Sequence, residues 1–240
     1  MSVKLDILAI GAHPDDVELS CGGTLYKHAL AGKATGIVDL TSGQLGTRGT
    51  PELRIQEAHE AAKILKLAVR ENLEMEDGFF TNDREHQLKL ITSIRKYKPD
   101  ILLINAPDDR HPDHGKAAML ASDAAFMSGL SKISTLHNGK EQEAWRPRNV
   151  YHYIQAKYLK PDFVVDISEH FEVKMQAILA YRSQFFDPKS KEKDTFISSQ
   201  EFLDFLKARF QDLGQLAGVK YAEGFIAQRY LGVDDMTSLF

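Results

Sequence analysis

Two short segments of the sequence bring histidines and carboxylates together: HPDD at residues 13–16 and HPDH at residues 111–114. Neighbouring carboxylates repel one another and resist dehydration, so either water covers all of them or a cation lies between them. Two imidazoles and a carboxylate, with one position left open for water, form a common catalytic zinc site. The proline in each segment fixes a backbone torsion and so limits the entropy lost when ligands are presented.

Helix capping is the alternative interpretation of these residues. Asp15, Asp16 and Asp113 all lie where helices are expected to begin, and aspartate is a favoured N-cap residue. One such segment alone would favour capping. Two histidine-containing segments at the same edge of a sheet favour a metal site instead.

The segments that position these residues alternate between apolar strands and amphipathic helices. The run ILLIN at 101–105 is typical of a strand buried on both faces of a parallel sheet. The pattern predicts strands at 4–10, 35–41, 101–105, about 150–155 and 162–167, and helices at 22–32, 51–67, 84–97 and about 115–127, 169–182 and 197–213. This alternation predicts an α/β fold: one domain, residues 1–240, with an open, mostly parallel sheet flanked by helices.

Open α/β sheets bind ligands beyond the carboxyl ends of their strands. Three segments are therefore expected on one rim: AHPDD (12–16), TSGQLGTRG (41–49) and APDDRHPDH (106–114). The glycine-rich segment has no following Lys-Ser/Thr pair, so it is not a phosphate-binding P-loop. We interpret it as a mobile loop that contacts substrate.

Composition excludes several classes of function. The net charge is −4 and the basic residues are scattered, so there is no basic footprint for nucleic acid. No apolar run is long enough to cross a bilayer, and the first residues resemble a strand more than a signal peptide. The single cysteine, Cys21, cannot form an internal disulfide, which fits a reducing compartment. A cytoplasmic protein is expected.

AHPDDVE (12–18), followed by HPDH, resembles the N-acetylglucosaminyl deacetylase family, known as the PIG-L or LmbE-like family. Both motifs occur in order at the ends of the expected strands. The resemblance continues through residues 41–65, 108–118, 180–185 (AYRSQF) and 221–225 (YAEGF). It implies a Rossmann-like, LmbE-like deacetylase domain. Within the family, the sequence looks most like the bacillithiol-biosynthesis deacetylases, which remove acetate from N-acetylglucosaminyl malate.

The resemblance also implies a role for each matching residue. His13, Asp16 and His114 match the ligands of one divalent metal ion, for which Zn²⁺ is expected. Asp15 matches the general base, and His111 matches the histidine that assists the tetrahedral intermediate. Zinc, iron(II), cobalt and nickel all accept this ligand set, so the sequence leaves the native metal open.

Further residues are expected around these. Asp113 lies between the two histidines and is expected to orient one of them. Arg54 matches an arginine of substrate binding. Gln44 stands where family members often have glutamate, and it can still donate or accept a hydrogen bond. Arg48 and Arg110 are candidates for contacts with an anionic substrate.

The leading hypothesis is a zinc-dependent N-deacetylase that removes acetate from an N-acetylglucosamine (GlcNAc) conjugate, GlcNAc-malate in particular. A chitooligosaccharide is an alternative substrate, and a non-catalytic sugar- or nucleotide-binding domain is an alternative function. Asp15 argues against a binding domain, which needs no free base beside a metal. A malate group needs arginines on the rim, whereas a neutral chitooligosaccharide does not.

Three predictions concern residues outside the rim. The resemblance implies a homotrimer or homohexamer, for which Phe185, Phe186 and Phe225 are candidate interface anchors. The small residues around Gly23 predict a helix that approaches a strand closely, with Cys21 as a packed thiol. The YAEGF segment predicts only a turn.

Overall fold

The structure, a computed structural model, describes residues 3–239. Its elements are β1 (Ile7–Gly11), α1 (Asp16–Leu30), β2 (Thr35–Thr41), α2 (Pro51–Ile64), β3 (Val69–Met75), α3 (Arg84–Tyr97), β4 (Ile101–Ile104), α4 (Pro112–Met127), β5 (Leu136–His137), β6 (Lys140–Glu141), β7 (Asn149–Tyr153), β8 (Phe163–Asp166), α5 (Phe171–Leu179), α6 (Gln200–Ala217) and β9 (Ala222–Ala227), with a 3₁₀ turn at Met236–Ser238. In the described part of the chain, every helix is too short or too polar to span a bilayer.

Seven strands form one sheet in the order β3-β2-β1-β4-β7-β9-β8. The first five in this order are parallel to one another, whereas β9 runs antiparallel to both β7 and β8. Strands β5 and β6 form a separate small hairpin. The predicted open, mostly parallel sheet with flanking helices is confirmed.

The functional rim lies where the strand order reverses. From β1 the chain continues to β2 on one side, and it later returns to β4 on the other side of β1. Ile7 pairs with Ile101 and Ala9 with Leu103, so β1 and β4 end side by side. A crevice therefore opens beyond their carboxyl ends, as is usual at such a switch point. HPDD follows β1 and HPDH follows β4.

Strands β3 and β9 are missing from the sequence prediction. β3 (VRENLEM) is an edge strand with charged and half-exposed residues, so it lacks the apolar run of a central strand. β9 (AEGFIA) contains a buried glutamate, Glu223, and a glycine, both of which are depleted in strands. Each of these two segments forms a strand because it pairs with a neighbouring strand of the sheet, not because its own residues favour a strand.

Helix α1 begins at Asp16, six residues before the predicted start at residue 22. Cys21 has φ −141° and ψ 18°, which interrupts the helix. The first turns of α1 therefore include Asp16 of the HPDD motif. The helix predicted at 22–32 corresponds only to the part of α1 after the break. Cys21 is fully buried, as predicted.

Two of the three proposed interface anchors belong to the core. Phe185 and Phe225 are each 1% exposed, and each packs inside a cluster of buried apolar side chains. The expectation that they anchor an oligomer interface is wrong, because neither ring reaches the surface of the chain. Phe186 is 37% exposed. The oligomeric state itself stays a prediction.

Phe185→Ala tests this correction. Removing a fully buried phenylalanine should lower the free energy of unfolding by about 3–5 kcal/mol. Phe186→Ala, its neighbour, is the matched control and should cost on the order of 1 kcal/mol. Urea unfolding followed by circular dichroism measures both. Equal losses for the two variants would contradict the assignment of Phe185 to the core.

Candidate active site

Three histidines meet where β1 and β4 end. His13 follows β1, His111 lies at the N-cap position of α4, and His114 lies in the first turn of that helix. Ring centroids are separated by 4.8 Å between His13 and His111, 5.1 Å between His111 and His114, and 5.7 Å between His13 and His114. One ring nitrogen from each can be chosen so that all three lie within 4.8 Å of one another.

Carboxylates fix one ring nitrogen of His13 and one ring nitrogen of His114 as hydrogen-bond donors. His13 Nε2 lies 2.9 Å from Asp77 Oδ1 and 3.4 Å from Asp113 Oδ2, so this nitrogen carries the proton that it donates to them. His114 Nδ1 donates to the carboxylate of Asp109 in the same way. The lone pairs of His13 Nδ1 and His114 Nε2 are therefore left for another partner.

Asp16 lies between these two free nitrogens. Its Oδ2 is 3.7 Å from His13 Nδ1, and its Oδ1 is 3.1 Å from His114 Nε2. The carboxylate also accepts hydrogen bonds from Asn105 and Gln155 at 3.2 and 3.1 Å. Burial raises the pKa of Asp16, but the charges and hydrogen bonds of His114 and His13 lower it well below its usual range. Asp16 is therefore ionised.

His111 differs from the other two histidines. Its Nδ1 accepts a hydrogen bond of 3.2 Å from the backbone N–H of Asp113 and so caps α4. The neutral ring consequently carries its proton on Nε2. Burial, and then the charges of His13 and His114, lower the pKa of His111 and favour that neutral form. Its Nε2 is thus a hydrogen-bond donor, not a lone pair.

Two sets among the described residues bring three donor atoms within 4.8 Å of one another, and the hydrogen bonds argue against each set. The set His13, His111 and His114 requires a lone pair that the neutral His111 does not offer at Nε2. The set His13, Asp77 and Asp113 requires the nitrogen of His13 that donates to those carboxylates. A third set, His13 Nδ1, Asp16 and His114 Nε2, offers an ionised oxygen and two imidazole nitrogens that become ligands once they lose their protons. Its donor types are those of a zinc site.

Protons compete with a cation for this site. Burial lowers the pKa of His114, but Asp16 and Asp109 together raise it to about 9 in the protein without metal. The hydrogen bonds of His13 to Asp113, Asp16 and Asp77 likewise outweigh burial and raise its pKa. A metal must displace these protons, so its apparent affinity increases with pH.

Asp15 points away from Asp16, onto Arg54. Its backbone φ of 110° lies in the left-handed region that residues other than glycine rarely adopt. Arg54 Nη2 donates to Asp15 Oδ2 at 2.6 Å, and Nε and Nη2 donate to the Pro14 carbonyl at 3.1 and 2.9 Å. A side chain at Gly43 would place its Cβ 2.7 Å from Arg54 Nη1, so glycine there gives the guanidinium room. Helix α2 thereby clamps the HPDD loop.

The environment of Asp15 suits a group that accepts protons near neutral pH. Burial raises its pKa, Arg54 lowers it and Asp16 raises it again, with a resulting pKa of about 7. Asp15 occupies the N-cap position of α1, yet its side chain forms no capping hydrogen bond. Capping therefore does not explain this carboxylate.

Two residues expected to contact substrate have other partners. Arg48 donates to Ser190 Oγ at 2.6 Å and pairs with Glu192 at 3.4 Å. Gln44 donates to the Met75 carbonyl at 3.2 Å. Neither residue is among the described residues that line the cleft. The structure corrects this expectation, because both side chains hold loops together instead of facing the cleft.

The cleft has a volume of about 360 Å³. Its lining combines the three histidines and the HPDD acids with the apolar side chains of Phe196, Phe202, Phe205 and Leu206. Phe196 and Phe205 are 60% and 47% exposed. Arg110, also in the lining, stacks 4.5 Å from the Phe196 ring, and Arg209 lies 5.2 Å from the Phe205 ring. Arg209 had not been predicted.

Other residues around the site were also missed. Asp77 follows β3, Asn105 follows β4 and Gln155 follows β7, so each lies beyond the carboxyl end of a parallel strand. Because ligands bind beyond the carboxyl ends of parallel strands, these three residues could have been predicted from the sequence if β3 had been recognised as a strand. Asp109 lies five residues before His114, within the segment APDDRHPDH (106–114), and nothing in that segment indicates that it accepts a hydrogen bond from His114.

Comparison with known proteins gives a consistent result. Residues 8–125 match the family model described as PIG-L: GlcNAc-PI de-N-acetylase. A diacetylchitobiose deacetylase of Thermococcus kodakarensis is 30% identical over 230 residues, which cover 91% of this chain and 81% of that protein. The sequence similarity thus extends well beyond the motifs themselves.

Solved structures agree in fold. The conserved protein TT1542 from Thermus thermophilus is 38% identical, with a TM-score of 0.85 over 96% of this chain and 98% of that chain. An N,N'-diacetylchitobiose deacetylase from Pyrococcus horikoshii, complexed with an inhibitor, is 26% identical, with a TM-score of 0.77 over 92% and 83% of the two chains.

The Arg54–Asp15 pair predicts a pH-dependent stability. A raised pKa means that ionising Asp15 costs stability, and this cost grows as the pH rises from about 4, its ordinary pKa, to about 7. In metal-free protein, Arg54→Met should therefore lower the free energy of unfolding by about 1 kcal/mol more at pH 8 than at pH 5.5, because without Arg54 the pKa of Asp15 rises further and the buried carboxyl must take up a proton. The loss should be smaller at pH 5.5, where Asp15 keeps its proton.

Urea unfolding in the presence of a chelator measures both losses. The double variant Arg54→Met/Asp15→Asn is the control, and it should recover most of the loss at pH 8 because no buried charge remains. A loss that is independent of pH and is not recovered in the double variant would show that Arg54 acts only through the Pro14 carbonyl.

Proposed function

The chain belongs to the PIG-L deacetylase family, and from this premise we propose that it is a metal-dependent hydrolase that removes acetate from a GlcNAc conjugate. One observation carries the proposal. Adjacent acids have separate partners: Asp16 faces two free histidine nitrogens, while Asp15 faces Arg54 with a pKa of about 7. A set of metal ligands beside a separate carboxylate that titrates near neutral pH is what hydrolysis of an amide requires.

We assign the metal ligands to His13 Nδ1, Asp16 and His114 Nε2. The support is the donor chemistry: both nitrogens are freed by carboxylates that hold the opposite ring nitrogen, through Asp77 and Asp113 for His13 and through Asp109 for His114. A bound divalent ion, for which we propose Zn²⁺, would supply Lewis acidity toward water and the acetamide carbonyl.

Asp15 and His111 have separate roles in the proposed reaction. The ionised Asp15 carboxylate accepts a proton from the attacking water. His111 Nε2–H donates a hydrogen bond to the acetamide oxygen as negative charge develops on it. Arg54 keeps Asp15 oriented and lowers its pKa, so that part of the population is ionised at neutral pH. Asp15, once protonated, can donate that proton to the departing amine.

For the rest of the substrate we propose malate, so that the substrate is GlcNAc-malate. Arg110 and Arg209 both line the cleft, and within residues 3–239 neither guanidinium forms an ion pair with a carboxylate. Each lies against an aromatic ring, and Arg209 also donates a hydrogen bond to the Ala156 carbonyl. Two such cations match the two carboxylates of malate.

A chitooligosaccharide is the second candidate substrate. The exposed rings of Phe196 and Phe205 offer apolar faces on which a second sugar could stack, and two of the similar proteins are diacetylchitobiose deacetylases. A neutral second sugar would leave the two arginines without a charged partner. The two substrates therefore differ in their dependence on Arg110.

Asp15→Asn tests the proposed chemistry. This variant should keep one metal ion per chain and lose activity by about 10²–10⁴-fold, because the base is gone while the ligands remain. Asp16→Asn is the matched control at the adjacent position and should lose the metal. Elemental analysis and amine release from GlcNAc-malate measure the two effects. Loss of metal from Asp15→Asn would make Asp15 a ligand and overturn the assignment.

Arg110→Ala tests the proposed substrate. It should reduce kcat/KM for GlcNAc-malate about 10- to 150-fold, the scale of about 1.5–3 kcal/mol for a hydrogen bond to a charged group, and change kcat/KM for diacetylchitobiose little. Arg146→Ala is the control, since Arg146 stacks in the same way on Phe126, 4.2 Å away and outside the cleft lining. A loss confined to diacetylchitobiose would favour the second candidate.

A further inference from the structure

Helix α1 is broken between the end that carries the acids and the rest of the helix. We call residues 16–20 the active-site segment; the break follows at Cys21, whose backbone is not helical. In a continuous helix the Leu19 carbonyl would accept from the Gly23 N–H, four residues later. Here the Gly23 N–H donates to Glu223 Oε1 at 2.9 Å, and the Thr24 N–H donates to Glu223 Oε2 at 2.7 Å.

A buried lysine serves the other side of the break. Lys174 Nζ donates to the carbonyls of Glu18 and Leu19, each at 2.9 Å, and to Glu223 Oε1 at 2.6 Å. Lys174 and Glu223 are both fully buried. Together they satisfy two carbonyls and two N–H groups next to the break, and neither residue lies among the described residues that line the cleft.

The charges also match the helix ends that they face. A helix carries partial negative charge at its C-terminus and partial positive charge at its N-terminus. Lys174 lies at the C-terminal end of the active-site segment, and Glu223 lies at the new N-terminus that begins with Gly23. A Cβ at Gly23 would lie 3.0 Å from Ile167 and 3.1 Å from Glu223 Oε1, so glycine lets the carboxylate approach this closely.

Stability alone does not explain this arrangement. A continuous helix would satisfy the same backbone groups, and apolar residues in place of a buried ion pair are often as stable or more so. What the pair uniquely provides is a fixed change of direction in α1. We propose that Lys174 and Glu223 are positioning residues for deacetylation: by holding the break, they aim the active-site segment so that Asp16 faces His13 and His114. This inference rests on the proposed function.

The decisive variant is Lys174→Met/Glu223→Met, which removes both charges and lets the helix become continuous. We expect each single variant to unfold at lower urea concentration and the double variant to recover much of that loss. All three should nevertheless bind Co²⁺ at least tenfold more weakly than wild type, with an altered visible absorption spectrum. In all three, kcat for GlcNAc-malate should fall at least tenfold.

Arg95→Met is the matched control for loss of a buried cation. Arg95 donates to the carbonyls of Ser128, Leu130 and Ile133, away from the cleft. It should lose stability while its folded fraction keeps the wild-type Co²⁺ affinity and spectrum. A double variant that recovers stability together with wild-type Co²⁺ affinity, spectrum and kcat would overturn the proposal.

Two further comparisons keep the test decisive. If the double variant does not fold, Glu223→Gln, which keeps the shape and one acceptor oxygen, takes its place; wild-type Co²⁺ affinity and kcat in that variant would overturn the positioning role. A wild-type protein that binds no Co²⁺ and releases no amine would instead refute the proposed function. Wild-type activity with unaffected variants would refute only this inference.

Discussion

An unpaired carboxylate buried inside a protein is costly, and this chain buries several of them around one cleft. Each is compensated by a cation or a hydrogen-bonded histidine from a different element. The pairs are Asp15 with Arg54, Asp16 with His114, Glu18 and Asp39 with Arg70, Asp113 with His13, and Glu223 with Lys174. Because most of the partners come from distant parts of the sequence, the whole sheet and its helices must form before the charges are matched. The geometry of the site therefore depends on the complete fold.

The same pairing separates the roles of two adjacent acids. Asp16 opens α1 and faces His114, whereas the left-handed backbone of Asp15 directs its carboxylate onto Arg54. One carboxylate is thereby held ionised beside two histidine nitrogens, and the other keeps a pKa near neutrality. The carboxylates behind His13 and His114 select the free ring nitrogens, while a backbone N–H selects the proton-bearing nitrogen of His111. Charge compensation and chemical function are thus produced by the same contacts.

The C-terminal part of the chain supports the N-terminal helix. Glu223 on β9 and Lys174 on α5 hold the break in α1, and Tyr181 donates to Glu18 at 2.9 Å. Arg70 on β3 joins Glu18 to Asp39, which it grips through two hydrogen bonds of 2.8 and 3.0 Å. The YAEGF segment, for which the sequence predicted only a turn, therefore has a physical role: its glutamate is the anionic cap of an interrupted helix.

The sequence by itself determined the α/β fold, the central strands and the residues that meet at the rim. These features follow from local patterns: apolar runs form buried strands, and parallel strands end at one edge. It also indicated that Asp15 and Asp16 have different tasks, through motif resemblance. Only the tertiary structure decided which nitrogen each histidine offers, that Arg54 holds Asp15, that Arg48 and Gln44 lie outside the cleft lining, and that Arg209 lies within it. The physical reason is that hydrogen-bond partners and burial arise from contacts between residues far apart in sequence, such as Gly23 and Glu223, and such contacts leave no periodic trace in the sequence.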